Sequence, residues 1–160
     1  MPCPAVDSEE WHLQWYKPLK EMIMDKESAH AYCLSLPEVT ATHPFGPDVA
    51  VYKIKNKMFA LLATCNDKGS ELGEQYAGCS FLNLKCDPEE AFMLRDIFPE
   101  VLPAYHMSKK HWISVVLINS MPEKEIERLI DRSFGLVIKK LKKTERTSLE
   151  LQYPPEALYR

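Results

Sequence analysis

The sequence predicts an α+β fold in two layers, an antiparallel β-sheet with helices packed on one face. Three observations carry that prediction. The strand-like runs alternate apolar and polar residues, and those at the centre of the chain follow one another through a short polar turn, as antiparallel pairing requires. The helix-period stripes lie before, between and after those runs rather than after each one, unlike a doubly wound parallel sheet. Prolines, twelve in 160 residues, mostly stand at the ends of these segments, where they stop helices.

Residues 1–28 read as an N-terminal helical appendage. Asp7 or Ser8 can cap a helix, and Trp11, Trp15, Leu19, Met22 and Ile23 fall on one stripe that Pro18 splits in two. Trp11 and Trp15 are expected to lay aromatic area over an edge or face of the main domain; docking of a protein partner is the alternative. Residues 29–142 are the main domain. Its first helix has Ala29, Tyr32, Cys33 and Leu36 at inner positions and stops at Pro37, and the run 42–47 is rich in turn residues. Val49 to Ile54 and Met58 to Ala63 are alternating strands around Lys55-Asn56-Lys57, a polar turn in which Asn tolerates positive φ. They form a hairpin with a basic tip, and Lys53, Lys55 and Lys57 share one side if strand geometry persists to that tip.

Residues 66–79, with three of the five glycines, read as a long loop or hairpin extension. Phe81 to Lys85 is a third strand. Asp87-Pro88-Glu89-Glu90 opens a helix: Asp caps, Pro takes the first position and Glu90 closes a capping box, with the phase set by Ala91, Leu94, Arg95 and Phe98. Trp112 to Leu117 is a strand, Tyr105 to Met107 its expected short partner, and Lys109 and Lys110 then occupy the turn. Ser120-Met121-Pro122-Glu123 reads as another capping box. The helix behind it runs to about Lys142 on a stripe of Ile126, Leu129, Ile130, Phe134, Val137, Ile138 and Leu141, and its end is basic: Lys139, Lys140, Lys142 and Lys143. Residues 143–160, with Pro154-Pro155, are expected to form an extended tail that can lie over the domain.

Length and composition bound the class. A chain of 160 residues with 46% hydrophobic content is one domain able to bury a core without staples. The five cysteines, Cys3, Cys33, Cys65, Cys79 and Cys86, are odd in number and scattered, which argues for a reducing compartment and against a disulfide framework. The N-terminus lacks a basic stretch followed by an apolar run, and no stretch approaches the length of a membrane span, so the cytoplasm is expected and no membrane partner. A net charge of −3 argues against strong, whole-surface attraction to nucleic acid. The charge is uneven, however: residues 1–28 carry three basic and six acidic side chains, residues 121–160 nine and seven. Any nucleic-acid site is therefore a local patch.

Four stretches carry a family resemblance: His43-Pro44-Phe45-Gly46-Pro47-Asp48-Val49-Ala50-Val51-Tyr52-Lys53, Met58-Phe59-Ala60-Leu61, Leu84-Lys85-Cys86-Asp87-Pro88, and Tyr105-His106-Met107-Ser108-Lys109-Lys110-His111-Trp112. In order and spacing they resemble the MmcQ/YjbR family over about residues 29–142. The resemblance implies a CyaY-like or secretion-chaperone-like domain, and a "double wing" of β-hairpins described in that family as predicted DNA-binding. Residues 1–28, 66–79 and 143–160 depart from the family core.

No catalytic constellation stands out, and no enzyme is expected. Cys86 precedes a helix N-terminus, where a thiolate is stabilised, but a base such as His106 or His111 must come within hydrogen-bond reach, and a small buried residue at a strand end is the ordinary reading. His106 and His111 flank a turn; zinc wants three or four converging ligands, which His43 or Asp48 would have to complete through the fold. No metal or other cofactor is expected. What remains is binding. The two hairpin tips are dibasic, and Lys53, Lys55, Lys57, Lys109, Lys110 and His111 form the candidate DNA-contacting set, because lysine on a protruding turn meets phosphate without being buried. Lysines at turns also simply blunt sheet edges. The alternative is a non-catalytic protein-interaction module, docking a partner through the sheet face or through Trp11 and Trp15.

Overall fold

The computed structural model describes residues 23–66, 72–118 and 120–160. Six strands, β1 (Thr40–Thr42), β2 (Ala50–Ile54), β3 (Lys57–Thr64), β4 (Ser80–Lys85), β5 (Val101–Pro103) and β6 (Trp112–Val116), form one sheet in the order β1-β2-β3-β4-β6-β5. Every neighbouring pair is antiparallel. Among the described residues five α-helices accompany it: α1 (Lys26–Ser35), α2 (Pro88–Ile97), α3 (Glu123–Lys139), α4 (Lys143–Gln152) and α5 (Pro155–Leu158). Helices α1, α2 and α3 cover one face. The larger core joins Tyr52, Ile54, Phe59, Leu62, Leu82, Leu84, Ile113 and Val115 of the strands to Ala29, Cys33, Leu94, Ile130, Phe134 and Ile138 of the helices. This is the expected α+β architecture.

A bulge fastens the sheet to α3. Tyr52 faces Ala60 and Lys53 faces Met58, so Phe59 is an extra residue in β3. Phe59 and Ala60 are both fully buried toward the helices, and the Phe59 ring meets Phe134 edge-on at 5.3 Å. Ser133 donates its hydroxyl to the Phe59 carbonyl at 2.5 Å and accepts from the Lys85 amide at 2.8 Å. One side chain thus ties α3 to β3 and β4.

Local motifs hold where nothing outbids them. Asp87 accepts from the Glu89 amide at 3.0 Å and Pro88 takes the first position of α2, as expected. Glu90 closes no box; it reaches α3, where Arg128 and Arg132 donate to it at 3.0 and 2.8 Å. Ser120 does not cap α3 either. Its hydroxyl goes to the buried carboxylate of Glu100, whose desolvation demands a donor, and α3 begins at Glu123 behind Pro122 without a side-chain cap.

Three expectations are corrected. The partner of β6 is Val101–Pro103 and not Tyr105–Met107. Pro103 is tolerated there because β5 is an edge strand, whereas the Tyr105 amide is drawn to the Ser114 hydroxyl and His106 turns at φ +54°. Thr40–Thr42 pairs with β2 as an unexpected edge strand. Residues 143–160 do lie over the domain, burying Leu149 and Leu158, but they are largely helical instead of extended. The C-terminal segment passes close over Gly135 on α3, where a Cβ would lie 3.4 Å from the Leu158 carbonyl, an ordinary contact distance. Trp11 and Trp15 lie outside the described residues. Among the described residues, no helix is long and apolar enough to cross a membrane.

Candidate functional site

Among the described residues no helix covers the second face of the sheet (the helix-free face), and it is apolar at its centre. Val51, Leu61, Ala63 and Phe81 point away from the helices, and strands apolar on both faces need cover on both. Loops supply part of it. Leu72, Tyr76 and Cys79 pack with Ala63, Phe81 and Val116, and the Tyr105 ring stands edge-on to Phe81 at 5.8 Å. Between this cover and the loop ahead of β2 the described residues leave a groove of about 610 Å³. Pro44, Phe45 and Val49 form one side, Tyr105, His106 and Met107 the other, and Val51, Met58, Leu61 and Ala63 lie between them.

The Tyr105 side is firmly built. Ser114 donates to Asn83 Oδ1 at 2.5 Å and accepts from the Tyr105 amide at 2.9 Å, while Asn83 Nδ2 donates to the Tyr105 carbonyl at 2.9 Å. A buried polar network with its partners in place fixes one geometry. The His106 ring lies 4.0 Å from that of Tyr105. Phe45 is 72% exposed at the opposite lip. Lys53 lines the groove and makes no hydrogen bond or ion pair with any described residue.

A second feature is the basic end of the sheet. Ile54 faces Lys57, Ala60 faces Leu84, Lys85 faces Trp112 and Pro103 faces Ile113. The β2–β3 turn, the end of β4 and the β5–β6 connection therefore emerge at the same end, the two connections about three strand spacings or ~14 Å apart. Helix α3 ends here too, since Ser133 touches Phe59 and Lys85, and Lys140, just past the helix, is near enough to Lys85 to act on its charge. Lys139, Lys140, Lys142 and Lys143 follow. Burial, then the charge of Lys140, lowers the Lys85 ammonium from its ordinary pKa.

The six candidate contacts are placed differently from one another. Lys55 and Asn56 occupy a two-residue turn with φ of +47° and +64°, which breaks the strand alternation. Lys53, Lys55 and Lys57 therefore do not share a side: Lys53 lines the groove, Lys55 pairs with Glu38 at 3.0 Å, and Lys57 is exposed opposite Ile54. Lys109 donates to the Ala104 carbonyl at 3.2 Å. Lys110 and His111 are exposed just ahead of β6. Sequence reasoning left out Lys85 and the α3 lysines, although the basic run after Ile138 was visible.

Cys86 is nine-tenths buried, and burial, with Glu90 and Asp87, pushes its thiol up to about 11, so it is no activated nucleophile. His106 and His111 sit on the β5–β6 connection, whereas His43 and Asp48 line a separate recess beside Lys26 and His30. Among the described residues, no group of three or more His, Cys, Asp or Glu is placed to hold a metal ion.

The YjbR family model matches residues 34–136, well over half of the chain. The chain belongs to the YjbR family. It is similar to the uncharacterized protein YbdF of Escherichia coli O157:H7, 39% identical over 127 residues that cover 77% of this chain and 95% of YbdF. It is also similar to the uncharacterized protein YjbR of Escherichia coli K12, 25% identical over 118 residues, 74% of this chain and 91% of that one. Among solved structures, the Deinococcus radiodurans protein DR2400, of family DUF419, gives a TM-score of 0.66 at 31% identity, covering 80% of this chain and 89% of its own. A Pseudomonas syringae protein gives 0.63 at 32% identity, covering 71% and 98%.

Three of the four stretches that carried the YjbR resemblance contribute to the groove. Pro44 to Lys53 give one side and part of the floor, Met58 and Leu61 more of the floor, and Tyr105 to Met107 the far side. The groove itself was not foreseen in this YjbR chain. Its trace in the sequence is the apolar character of Val51, Leu61 and Phe81 on the second face of strands that carry core residues on the first.

Proposed function

We propose that this YjbR-family protein acts by binding rather than catalysis, and that it binds DNA through the basic end of its sheet. The observation that carries the reading is that Lys57, Lys85 and Lys110 stand where the chain leaves the sheet at one end, with Lys140 near enough to Lys85 to act on its charge and Lys139, Lys142 and Lys143 beside it in sequence, so that four separate parts of the chain contribute. Lysines presented on turns and a helix end suit phosphate contact without base readout, and a local patch suffices on a chain of net charge −3. Lys55 drops out of the contact set because Glu38 already holds it.

Anisotropy titrations of a labelled duplex across a salt series test the proposal. Affinity should fall with salt at a log–log slope of about −0.9 per phosphate neutralised. Replacing Lys57, Lys110, Lys140, Lys142 and Lys143 together by Ala should flatten that slope and remove binding at physiological salt, with the thermal midpoint retained. Salt-independent binding, or an unchanged slope in the variant, rejects the reading.

One observation favours a protein-interaction module as the second reading. Phe92, Met93 and Ile97 of α2 are 72%, 57% and 64% exposed, a dense apolar surface for one short helix. A partner bound there should be lost in Met93→Glu with Ile97→Glu and be nearly indifferent to salt.

A further inference from the structure

We infer that the groove on the helix-free face is a binding site for a small organic carboxylate with an apolar body. The volume, about 610 Å³, is that of a single-ligand pocket rather than of a partner interface. The walls are largely apolar, and such pockets draw most of their affinity from apolar burial and their orientation from a few polar groups. Here those groups are limited. Asn83 is spent on Tyr105 and Ser114, which leaves the ammonium of Lys53 and the imidazole of His106.

Charge complementarity sets the class of ligand. Lys53 lacks any carboxylate partner among the described residues, although Lys55, two positions on, has one. An ammonium beside Val51, Met58 and Leu61 attracts an anion more strongly than one in bulk water, because the apolar wall lowers the local dielectric. A carboxylate at Lys53 lets the body of the same molecule run over Leu61 and Phe81 toward Phe45. That ring is exposed in the free protein and would be covered by the ligand. The far wall is preformed by the Ser114–Asn83–Tyr105 network, so binding needs little reordering. A cation would meet Lys53 as a like charge, and a neutral molecule would leave it unpaired.

Displacement of anilinonaphthalene sulfonate fluorescence from the full-length protein by decanoate, decanol and decylammonium tests the inference. Decanoate should displace the dye best, decanol less well and decylammonium least. Lys53→Met, on the groove surface and without a structural contact, should weaken decanoate about tenfold or more while leaving decanol unchanged. Methyl chemical shifts of Met58, Met107 and Leu61 should move on adding decanoate. The inference is overturned if decanoate fails to displace the dye, if Lys53→Met weakens decanoate and decanol alike, or if the shifts fall on Met93 and Ile97 instead. It is also overturned if decanoate binds only after Trp11→Ala with Trp15→Ala, which would assign the groove to the chain's own N-terminal segment.

Discussion

Ser133 is a gap in an otherwise apolar helical stripe, yet its hydroxyl serves the carbonyl freed by the Phe59 bulge and the amide of Lys85. Ser133→Ala leaves buried backbone groups unserved and should destabilise the protein by about 1–3 kcal/mol, read as a lower urea midpoint at unchanged m-value. Glu90 gives a pH-dependent counterpart. Burial opposes its ionisation, but hydrogen bonds from Arg132 and Arg128 outweigh that and hold it below the usual carboxylate range. A depressed folded-state pKa contributes stability above the unfolded value that is lost as pH falls through the folded one. Glu90→Gln should therefore lower stability at neutral pH, and the difference from wild type should close on acidification. Denaturation midpoints between neutral pH and about pH 3 measure it. At Cys33 and Cys86 burial raises the thiols, to about 12 and about 11, so neither should react with iodoacetamide at neutral pH in the folded state.

At the scale of elements, the β2–β3 turn places Lys55 and Asn56 at positive φ, a conformation that costs an L-residue about 1–2 kcal/mol and Asn less. Asn56→Gly should stabilise the hairpin by up to about 1 kcal/mol, visible as a raised melting temperature. The C-terminal helices test a different point. Leu149 is fully buried, so Leu149→Ala should cost about 2–5 kcal/mol, as expected of a core residue and not of a tail. The capping signals of α2 were legible because Asp87 and Pro88 act within one turn. Those of α3 misled because Ser120 had a distant and more demanding partner in Glu100.

For the molecule as a whole, charge and apolar surface are separated. The basic end collects lysines from β3, β4, the β5–β6 connection and α3, while the groove carries one unpaired ammonium at Lys53. Perturbations at sites that share no contacts add independently. Lys53→Met should leave the salt slope of DNA binding unchanged, and the quintuple lysine variant should leave decanoate displacement unchanged, with both titrations run on each protein. Coupled effects would mean that the two surfaces form one site.

Strand alternation, helix stripes, Pro punctuation and the spacing of the signature stretches are local properties, so they determined the α+β class, most of the strands and α2, and the family by themselves. Which side a lysine faces, which hydroxyl serves which carbonyl and where two loops leave a cavity depend on residues far apart in the chain. Lys55 was claimed by Glu38, Ser120 by Glu100, and the groove arose only when Pro44, Phe45 and Val49 came to face Tyr105, His106 and Met107 across the sheet. Tertiary contacts decided those points, because a buried or paired polar group is satisfied by whatever lies nearest in space rather than in sequence.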